Sequence, residues 1–149
     1  MELKTIPQDA ELIIFDFCNT LVIESDGNLK LRDDAFDLIA RLKLKGKKMA
    51  ISSTTSLEDI TSCAGILAIR PFVDRIYGEE HIIIEEGRKY KDLSRICKDF
   101  EVEPKKAVFI GDNYGGIDKM SSERYSVNFI HVPSQERNPD YNLKELIEK

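Results

Sequence analysis

The chain has 149 residues, of which 42% are hydrophobic and 33% charged, and its 22 basic and 27 acidic side chains give a net charge of −5. This length predicts a single domain spanning residues 1–149. The negative charge argues against nucleic acid as an obligatory partner, because binding to phosphate backbones needs a concentrated basic surface. The sequence lacks a signal peptide and a membrane-length apolar stretch, so we expect a cytoplasmic protein with no membrane contact.

The first predicted strand is the apolar run at residues 12–15, which leads directly into Asp16. An uninterrupted apolar run this short is typical of a strand buried on both faces, as in a parallel sheet. Two short apolar segments then flank Asp26 and Gly27, a turn sequence that predicts a small hairpin flap at about residues 21–31. The flap would project beside Asp16.

Helical and strand patterns alternate along the rest of the chain. The predicted elements are a helix from residue 35 to about Gly46, a strand at 49–51, a helix from Ser56 to about Ala64, a helix at 91–100, a strand at 107–110, a short helix at 117–122, an outer strand at 127–132 and a closing helix at 141–148. Between them, one of the apolar segments 72–77 and 81–84 should be the third strand. This order predicts an α/β fold, a three-layer, doubly wound (Rossmann-like) parallel sheet.

Polar side chains follow three of the predicted strands. They are Asp16 after the first, Ser52 and Ser53 after the second, and Asp112 and Asn113 after a later one. Lys91 opens the predicted helix before that later strand. Because ligands bind outside the carboxyl ends of strands in an open parallel sheet, we expect these groups to meet at one edge. Two carboxylates, a hydroxyl and an ammonium group there can hold a magnesium ion and a phosphate.

These residues resemble the haloacid dehalogenase superfamily of phosphatases and phosphotransferases. Its pattern is a strand ending in Asp-x-Asp-x-Thr, a Ser or Thr after the second strand, a lysine, and an acidic pair after another strand. The matching residues, which follow this order across most of the chain, are Asp16, Thr20, Ser52, a lysine, and Asp112 with Asn113. No long insertion separates the motifs, so the resemblance implies a haloacid dehalogenase-like fold with no cap domain.

The resemblance implies a Mg²⁺-dependent phosphatase with Asp16 as its nucleophile. Asp16 would attack phosphorus and form an aspartyl-phosphate that water then hydrolyses. By the same resemblance, Mg²⁺ would be bound by Asp16, Asp112 and the backbone carbonyl of Cys18, with Asn113 supporting the metal shell. In this family a second metal-binding acid often follows the residue equivalent to Asp112 by four positions, but that position is Gly116 here. Either Asn113 or Asp118 would then have to supply the second side chain to the metal.

The phosphoryl oxygens would be bound by hydroxyl groups and a lysine. The resemblance assigns this role to Thr20 and Ser52, with Ser53 as the alternate. The lysine is Lys91, with Lys89 as the alternative, because the segment after Lys91 is similar to the lysine segment of the capless carboxy-terminal-domain phosphatases.

Cys18 departs from the family pattern, because it occupies the position of the second aspartate of the first motif. That aspartate normally protonates the leaving group and later activates water, a contribution of about two to four orders of magnitude. A thiol is a weak substitute, since its ordinary pKa is about 8.5. A catalytically impaired relative that serves as a binding or regulatory protein is therefore the alternative function.

The expected partner is a phosphorylated substrate, either a small molecule or a macromolecule. Capless relatives act on exposed phosphates of macromolecules or oligomerise so that a neighbour covers the site, and the sequence leaves open whether the protein is a homo-oligomer. A phospho-accepting receiver domain would also use an aspartate and Mg²⁺. The acids and the lysine of this chain come in the wrong order for that class.

Overall fold

A six-stranded parallel sheet lies at the centre of the structure, a computed structural model that describes residues 2–63, 66, 68–134 and 136–147. In their order across the sheet, the strands are β1 (Glu2–Leu3), β10 (Asn128–His131), β9 (Ala107–Gly111), β2 (Leu12–Phe15), β5 (Lys48–Ser52) and β6 (Arg75–Tyr77). All five neighbouring pairs are parallel. The edge strand β1 was not predicted, because two residues are too few to show a strand pattern.

The central strand β2 is buried on both faces. Leu12 and Ile14 belong to the hydrophobic core on one side of the sheet, and Ile13 and Phe15 belong to the core on the other. Successive side chains of a strand point to opposite faces, so a strand covered on both sides must be apolar at every position. This arrangement explains the unbroken apolar run in the sequence.

Helices cover both faces of the sheet. They are α1 (Ala35–Leu44), α2 (Leu57–Ser62), α3 (Leu93–Phe100) and α4 (Ile117–Tyr125). Buried residues of α1 and α2, such as Leu38 and Ile60, share a core with Phe15, whereas those of α3, such as Ile96, share the opposite core with Ile14. The fold is therefore the predicted three-layer α/β arrangement.

Two antiparallel hairpins extend from this framework. The first consists of β3 (Val22–Ser25) and β4 (Asn28–Leu31), where the flap was predicted. The second consists of β7 (Ile82–Glu85) and β8 (Arg88–Lys91), joined at Glu86 and Gly87, which both have positive φ angles. Such a two-residue turn favours a hairpin. Of the two candidates for the third strand, the segment at 72–77 is confirmed by β6, and the segment at 81–84 is not in the sheet.

Several predicted helix boundaries differ from the structure. The short helix predicted at 117–122 is α4 and continues to Tyr125. The helix predicted at 91–100 begins at Leu93, because Asp92 accepts a hydrogen bond from the Arg95 backbone N–H and caps it. The helix predicted from Ser56 is α2, and residues 64 and 65 at its expected end lie outside the described residues. The closing helix predicted at 141–148 is one 3₁₀ turn at Leu143–Leu146, which brings both of its leucines into the core. Residue 148 lies outside the described range.

None of the described helices has the length and apolar character needed to span a membrane.

Candidate active site

The register of the three central strands brings the predicted site residues to one level of the sheet. Phe15 in β2 lies opposite Ile51 in β5 and Ile110 in β9. The next residue, Asp16, donates its backbone N–H to the Ile110 carbonyl at 2.8 Å, which continues the pairing beyond the strand end. The groups that follow the three strands therefore meet at the carboxyl edge of the sheet, as the sequence predicted.

A buried lysine joins two carboxylates at this edge. The Lys91 Nζ lies 2.8 Å from Asp16 Oδ1 and 2.7 Å from Asp118 Oδ1. All three residues are buried, with Lys91 and Asp118 each 2% exposed. Charge-assisted hydrogen bonds of this kind, shielded from water, fix the orientation of both carboxylates.

Lys91 is the last residue of β8, not the first residue of a helix as predicted. Its backbone N–H donates to Ser121 Oγ at 2.9 Å, which ties the hairpin to α4. Its Nζ lies 5.0 Å from the centre of the Phe109 ring, within the range of a cation–π contact. Lys89, the alternative lysine, is exposed on the same hairpin, so the structure brings Lys91 to the site.

Asp118 occupies the position of the second acid in the site. It lies in the first turn of α4, where the helix dipole favours a negative charge, and its Oδ2 accepts the Asn113 backbone N–H at 3.1 Å. The Asn113 side chain instead accepts the Lys119 backbone N–H at 2.9 Å and so satisfies a free donor at the helix start. Of the two residues left open by the sequence, the structure places Asp118 beside Asp16.

Gly111 leaves the space that Asp16 and Asp118 need. A Cβ atom at this position would lie 2.2 Å from Asp118 Oδ2 and 3.2 Å from Asp16 Cβ. Any larger residue would have to displace the Asp118 carboxylate. Gly111 has no positive φ, so its backbone conformation does not require glycine. The requirement comes from the close packing against Asp118.

Three carboxylates form a group suited to a divalent cation. Oxygen atoms of Asp16, Asp112 and Asp118 all lie within 4.8 Å of one another. With Lys91 they carry a formal charge of about −2, and hard carboxylate oxygens are the ligands that Mg²⁺ prefers. The residues present therefore fit a Mg²⁺ ion, and the sequence had predicted Asp16 and Asp112 for this role.

Burial and charge act in opposite directions on the central ion pairs. Burial raises the pKa of Asp16 although Lys91 opposes the change, and it raises the pKa of Asp118 in the same way. Burial alone would lower the pKa of Lys91, but the Asp16 and Asp118 carboxylates outweigh it and raise that pKa. Lys91 therefore stays charged, and the excess negative charge of the carboxylates favours a bound cation.

These groups open into a small cavity of about 100 Å³. Ser53 and Thr54 line it together with Asp16 and Lys91. Ser52, the last residue of β5, is as buried as Ser53 but is not in the wall. Ser53 Oγ accepts the Thr55 backbone N–H at 3.1 Å. Of the two serines, Ser53 is the one in the cavity wall, and phosphate binding by either serine stays a prediction.

Thr20 lies behind Asp16 and is fully buried. Its Oγ1 donates to Asp16 Oδ2 at 3.4 Å, and the residue is not in the cavity wall. This geometry fits a role of Thr20 in positioning Asp16, and its contact with a phosphate stays a prediction. The Thr20 hydroxyl and Lys91 together hold the two oxygens of the Asp16 carboxylate.

Cys18 lies in the cavity wall two residues after Asp16, where the resemblance places an acid. Its Sγ is 3.7 Å from Thr55 Oγ1, and partial burial raises the pKa of its thiol. The thiol is therefore protonated at neutral pH. The wall also contains Asn19, Tyr114 and Ile117, for which the sequence predicted no role. Tyr114 is largely exposed, with 79% of its surface accessible.

Comparison with known proteins agrees with this geometry. The model of the haloacid dehalogenase-like hydrolase family matches residues 7–118, which include every member of the buried carboxylate and lysine group. Protein CbbY from Cereibacter sphaeroides is 28% identical over 102 residues, which are 65% of this chain and 43% of that protein. The chain therefore matches less than half the length of this curated relative.

Solved structures share the fold at low sequence identity. A haloacid dehalogenase-like family hydrolase from Streptococcus pneumoniae has a TM-score of 0.69 at 17% identity, over 91% of this chain and 94% of that one. The N-terminal part of a Bacteroides fragilis protein, containing a phosphatase domain complexed with Mg, has a TM-score of 0.69 at 16% identity, over 95% and 42%. A mutant of CbbY from Rhodobacter sphaeroides, in complex with xylulose-(1,5)bisphosphate, has a TM-score of 0.66 at 17% identity, over 93% and 100%. The family match covers most of the chain, and the chain belongs to the haloacid dehalogenase-like hydrolases.

Proposed function

We propose that this protein is a Mg²⁺-dependent phosphohydrolase that acts through an aspartyl-phosphate on Asp16. The observation that carries the proposal is the group formed by Asp16, Asp112, Asp118 and Lys91 around one small cavity. The ligands of two structural neighbours support it: the Bacteroides fragilis phosphatase domain is complexed with Mg, and the CbbY mutant is in complex with xylulose-(1,5)bisphosphate.

The residues that would hold Mg²⁺ are Asp16, Asp112 and Asp118, with the backbone carbonyl of Cys18. When bound, the ion supplies positive charge that offsets the negative charge of a phosphoryl group and of the carboxylates. The side chain of Asn113 is used at the start of α4, so a role for it in the metal shell stays a prediction.

In the proposed reaction the Asp16 carboxylate attacks phosphorus. Lys91 holds Oδ1 at 2.8 Å and Thr20 holds Oδ2 at 3.4 Å, so the carboxylate is fixed before substrate binds. A carboxylate oxygen forms a bond to phosphorus while the bond from phosphorus to the leaving-group oxygen breaks. The leaving-group oxygen takes up a proton from solvent. Water then attacks phosphorus while the bond from phosphorus to the Asp16 oxygen breaks, which releases inorganic phosphate, returns a proton to solvent and restores the Asp16 carboxylate. Lys91 and Ser53 stabilise the charge on the phosphoryl oxygens.

Cys18 favours a second candidate function. Its protonated thiol is a weak hydrogen-bond donor to a leaving group and cannot activate water as a carboxylate does. A protein with this residue can retain phosphate and metal binding with little turnover, as a binding or regulatory module would.

The test compares Mg²⁺-dependent hydrolysis of an aryl phosphate by the native protein, Asp16→Asn, Cys18→Asp and the matched control Cys18→Ser. We expect measurable turnover in the native protein and its loss in Asp16→Asn. We expect Cys18→Asp to increase kcat by about a hundredfold, the contribution typical of a general acid or base, and Cys18→Ser to change it little.

Other outcomes separate the two functions. Turnover in Cys18→Asp but not in the native protein would favour the binding or regulatory module. If neither protein turns over while both are folded and bind Mg²⁺, the phosphohydrolase proposal is wrong.

A further inference from the structure

A second, larger cavity opens beside the catalytic one. Its volume is about 460 Å³, within the range of small-molecule binding sites, whereas the catalytic cavity has about 100 Å³. The two cavities share Asn19, Asp112 and Tyr114 as wall residues. A phosphate ester held at Asp16 can therefore place the remainder of the molecule in the larger cavity without leaving the site.

We propose that this larger cavity binds the leaving group of the substrate, and that Arg137 recognises an anionic group on it. The inference rests on the proposed function, since it assumes that the phosphoryl group occupies the cavity at Asp16. It names the substrate class as a small, hydroxylated phosphate monoester that carries a second anion, either a carboxylate or another phosphate.

The wall of the larger cavity has the chemistry for such a molecule. Asn113, His131 and Ser134 each make one bond within the protein: Asn113 Oδ1 to the Lys119 N–H, His131 Nε2 to the Asp112 carbonyl and Ser134 Oγ to the Arg137 N–H. The groups that remain for ligand hydroxyls are the Asn113 NH₂, His131 Nδ1 and the Ser134 hydroxyl proton. Arg137 has no ion-pair partner in the described part of the chain, so its guanidinium is available to a ligand anion. The guanidinium matches carboxylate and phosphate oxygens in a two-pronged contact. Glu136 lines the same wall and can accept a hydrogen bond from a ligand hydroxyl.

The segment that carries Arg137 is fixed at both ends by one buried arginine. The Arg32 guanidinium donates to the Pro133 carbonyl at 3.4 Å and to the Tyr141 carbonyl at 3.0 Å, and its Nε lies 3.1 Å from Asp34 Oδ1. Within the segment, the Arg137 backbone N–H donates to Ser134 Oγ at 3.3 Å. One buried side chain therefore holds the backbone on both sides of Arg137 before a ligand binds.

The test measures binding by calorimetry with Mg²⁺ present, using Asp16→Asn protein so that ligands are not consumed. The probes are inorganic phosphate, glycerol 3-phosphate and 3-phosphoglycerate. The last two differ only in having a hydroxymethyl group or a carboxylate at the end away from the phosphate. Each probe is also measured with two double variants, which combine Asp16→Asn with Arg137→Met or, as a matched control, with Arg41→Met on the exposed face of α1.

We expect 3-phosphoglycerate to bind about tenfold more tightly than glycerol 3-phosphate, the factor that one charge-assisted hydrogen bond supports. Arg137→Met should bring that ratio close to one and leave the affinity for inorganic phosphate unchanged, and Arg41→Met should change neither. Equal affinities in the protein that retains Arg137 would overturn the inference. So would an equal loss for inorganic phosphate in Arg137→Met. If inorganic phosphate does not bind at all, the proposed function itself is wrong. If inorganic phosphate binds but 3-phosphoglycerate and glycerol 3-phosphate bind equally well, only the role of Arg137 is wrong.

Discussion

Lys91 keeps two buried carboxylates together that would otherwise repel each other. Its Nζ lies within 2.8 Å of both Asp16 and Asp118, and each of the three side chains is largely shielded from water. Two unpaired carboxylates in such a place would be costly, because burial disfavours the charged form. The residue that would neutralise phosphoryl oxygens therefore also stabilises the site in the absence of substrate.

Replacing Lys91 should destabilise the protein, and Mg²⁺ should restore part of the loss. We expect Lys91→Met to lower the free energy of unfolding by about 3 kcal/mol, the cost of leaving buried charges without a partner. The measurement is urea unfolding with and without Mg²⁺. The matched control is Lys89→Met, an exposed position on the same hairpin where the change should stay within about 0.5 kcal/mol. Equal effects of the two substitutions would contradict the role given to Lys91.

The site residues differ in how far the sequence predicted them. Asp16 and Asp112 follow buried strands, so the strand pattern alone brought them to one edge. Asp118 was an alternative to Asn113, because its position depends on the left-handed turn at Gly115 and Gly116 that precedes α4. Turn geometry of this kind sets side-chain direction and leaves little trace in residue spacing.

At the level of elements, Arg32 joins the end of the β3–β4 hairpin to the C-terminal segment. It is fully buried, pairs with Asp34 and donates to two carbonyls that lie about a hundred residues further along the chain. Asp34 in turn accepts the Leu143 backbone N–H at 2.5 Å. These bonds connect the flap, the start of α1 and the wall of the larger cavity.

Removing this arginine should loosen the C-terminal segment. We expect Arg32→Met to lower the free energy of unfolding by about 3 kcal/mol, because it removes the cation that pairs with the Asp34 carboxylate and the donor to two carbonyls. Hydrogen exchange at residues 136–143 should become faster. The control Arg41→Met breaks a half-exposed ion pair with Asp37 and should cost less than about 1 kcal/mol. Unchanged exchange in Arg32→Met would show that the segment is held by other contacts.

Elements with strong local patterns were predicted well, and those defined by packing were not. The hairpin β3–β4 has a turn sequence that could be recognised, and α1 has a clear apolar face. The hairpin β7–β8 has a similar pattern around Glu86 and Gly87, and this turn sequence is the signal in the sequence that indicates the hairpin. The closing segment is short because one turn already buries Leu143 and Leu146, a limit that depends on the core and not on local sequence.

At the level of the whole molecule, the carboxylate group predicts stabilisation by Mg²⁺. A ligand that binds only the folded state adds about 2.7 kcal/mol at about 100 times its Kd, so the melting temperature should rise by about 5 °C or more. Thermal unfolding with added Mg²⁺, and again after chelation with EDTA, measures this shift. Asp112→Asn, which removes one of the three carboxylates, should reduce it strongly. A shift of equal size in that variant, or with NaCl at matched ionic strength, would contradict a specific site.

Local sequence patterns were enough to predict the layered α/β architecture and the edge of the sheet at which the carboxylate group lies. Buried strands, amphipathic helices and the polar residues that end the strands are local patterns, and the carboxyl ends of parallel strands must lie together. Three features required the folded structure: Asp118 completes the carboxylate group, Ser53 lines the cavity, and Lys91 reaches the cavity from a hairpin. These outcomes depend on turn geometry and on contacts between residues far apart in the chain, which no local pattern records.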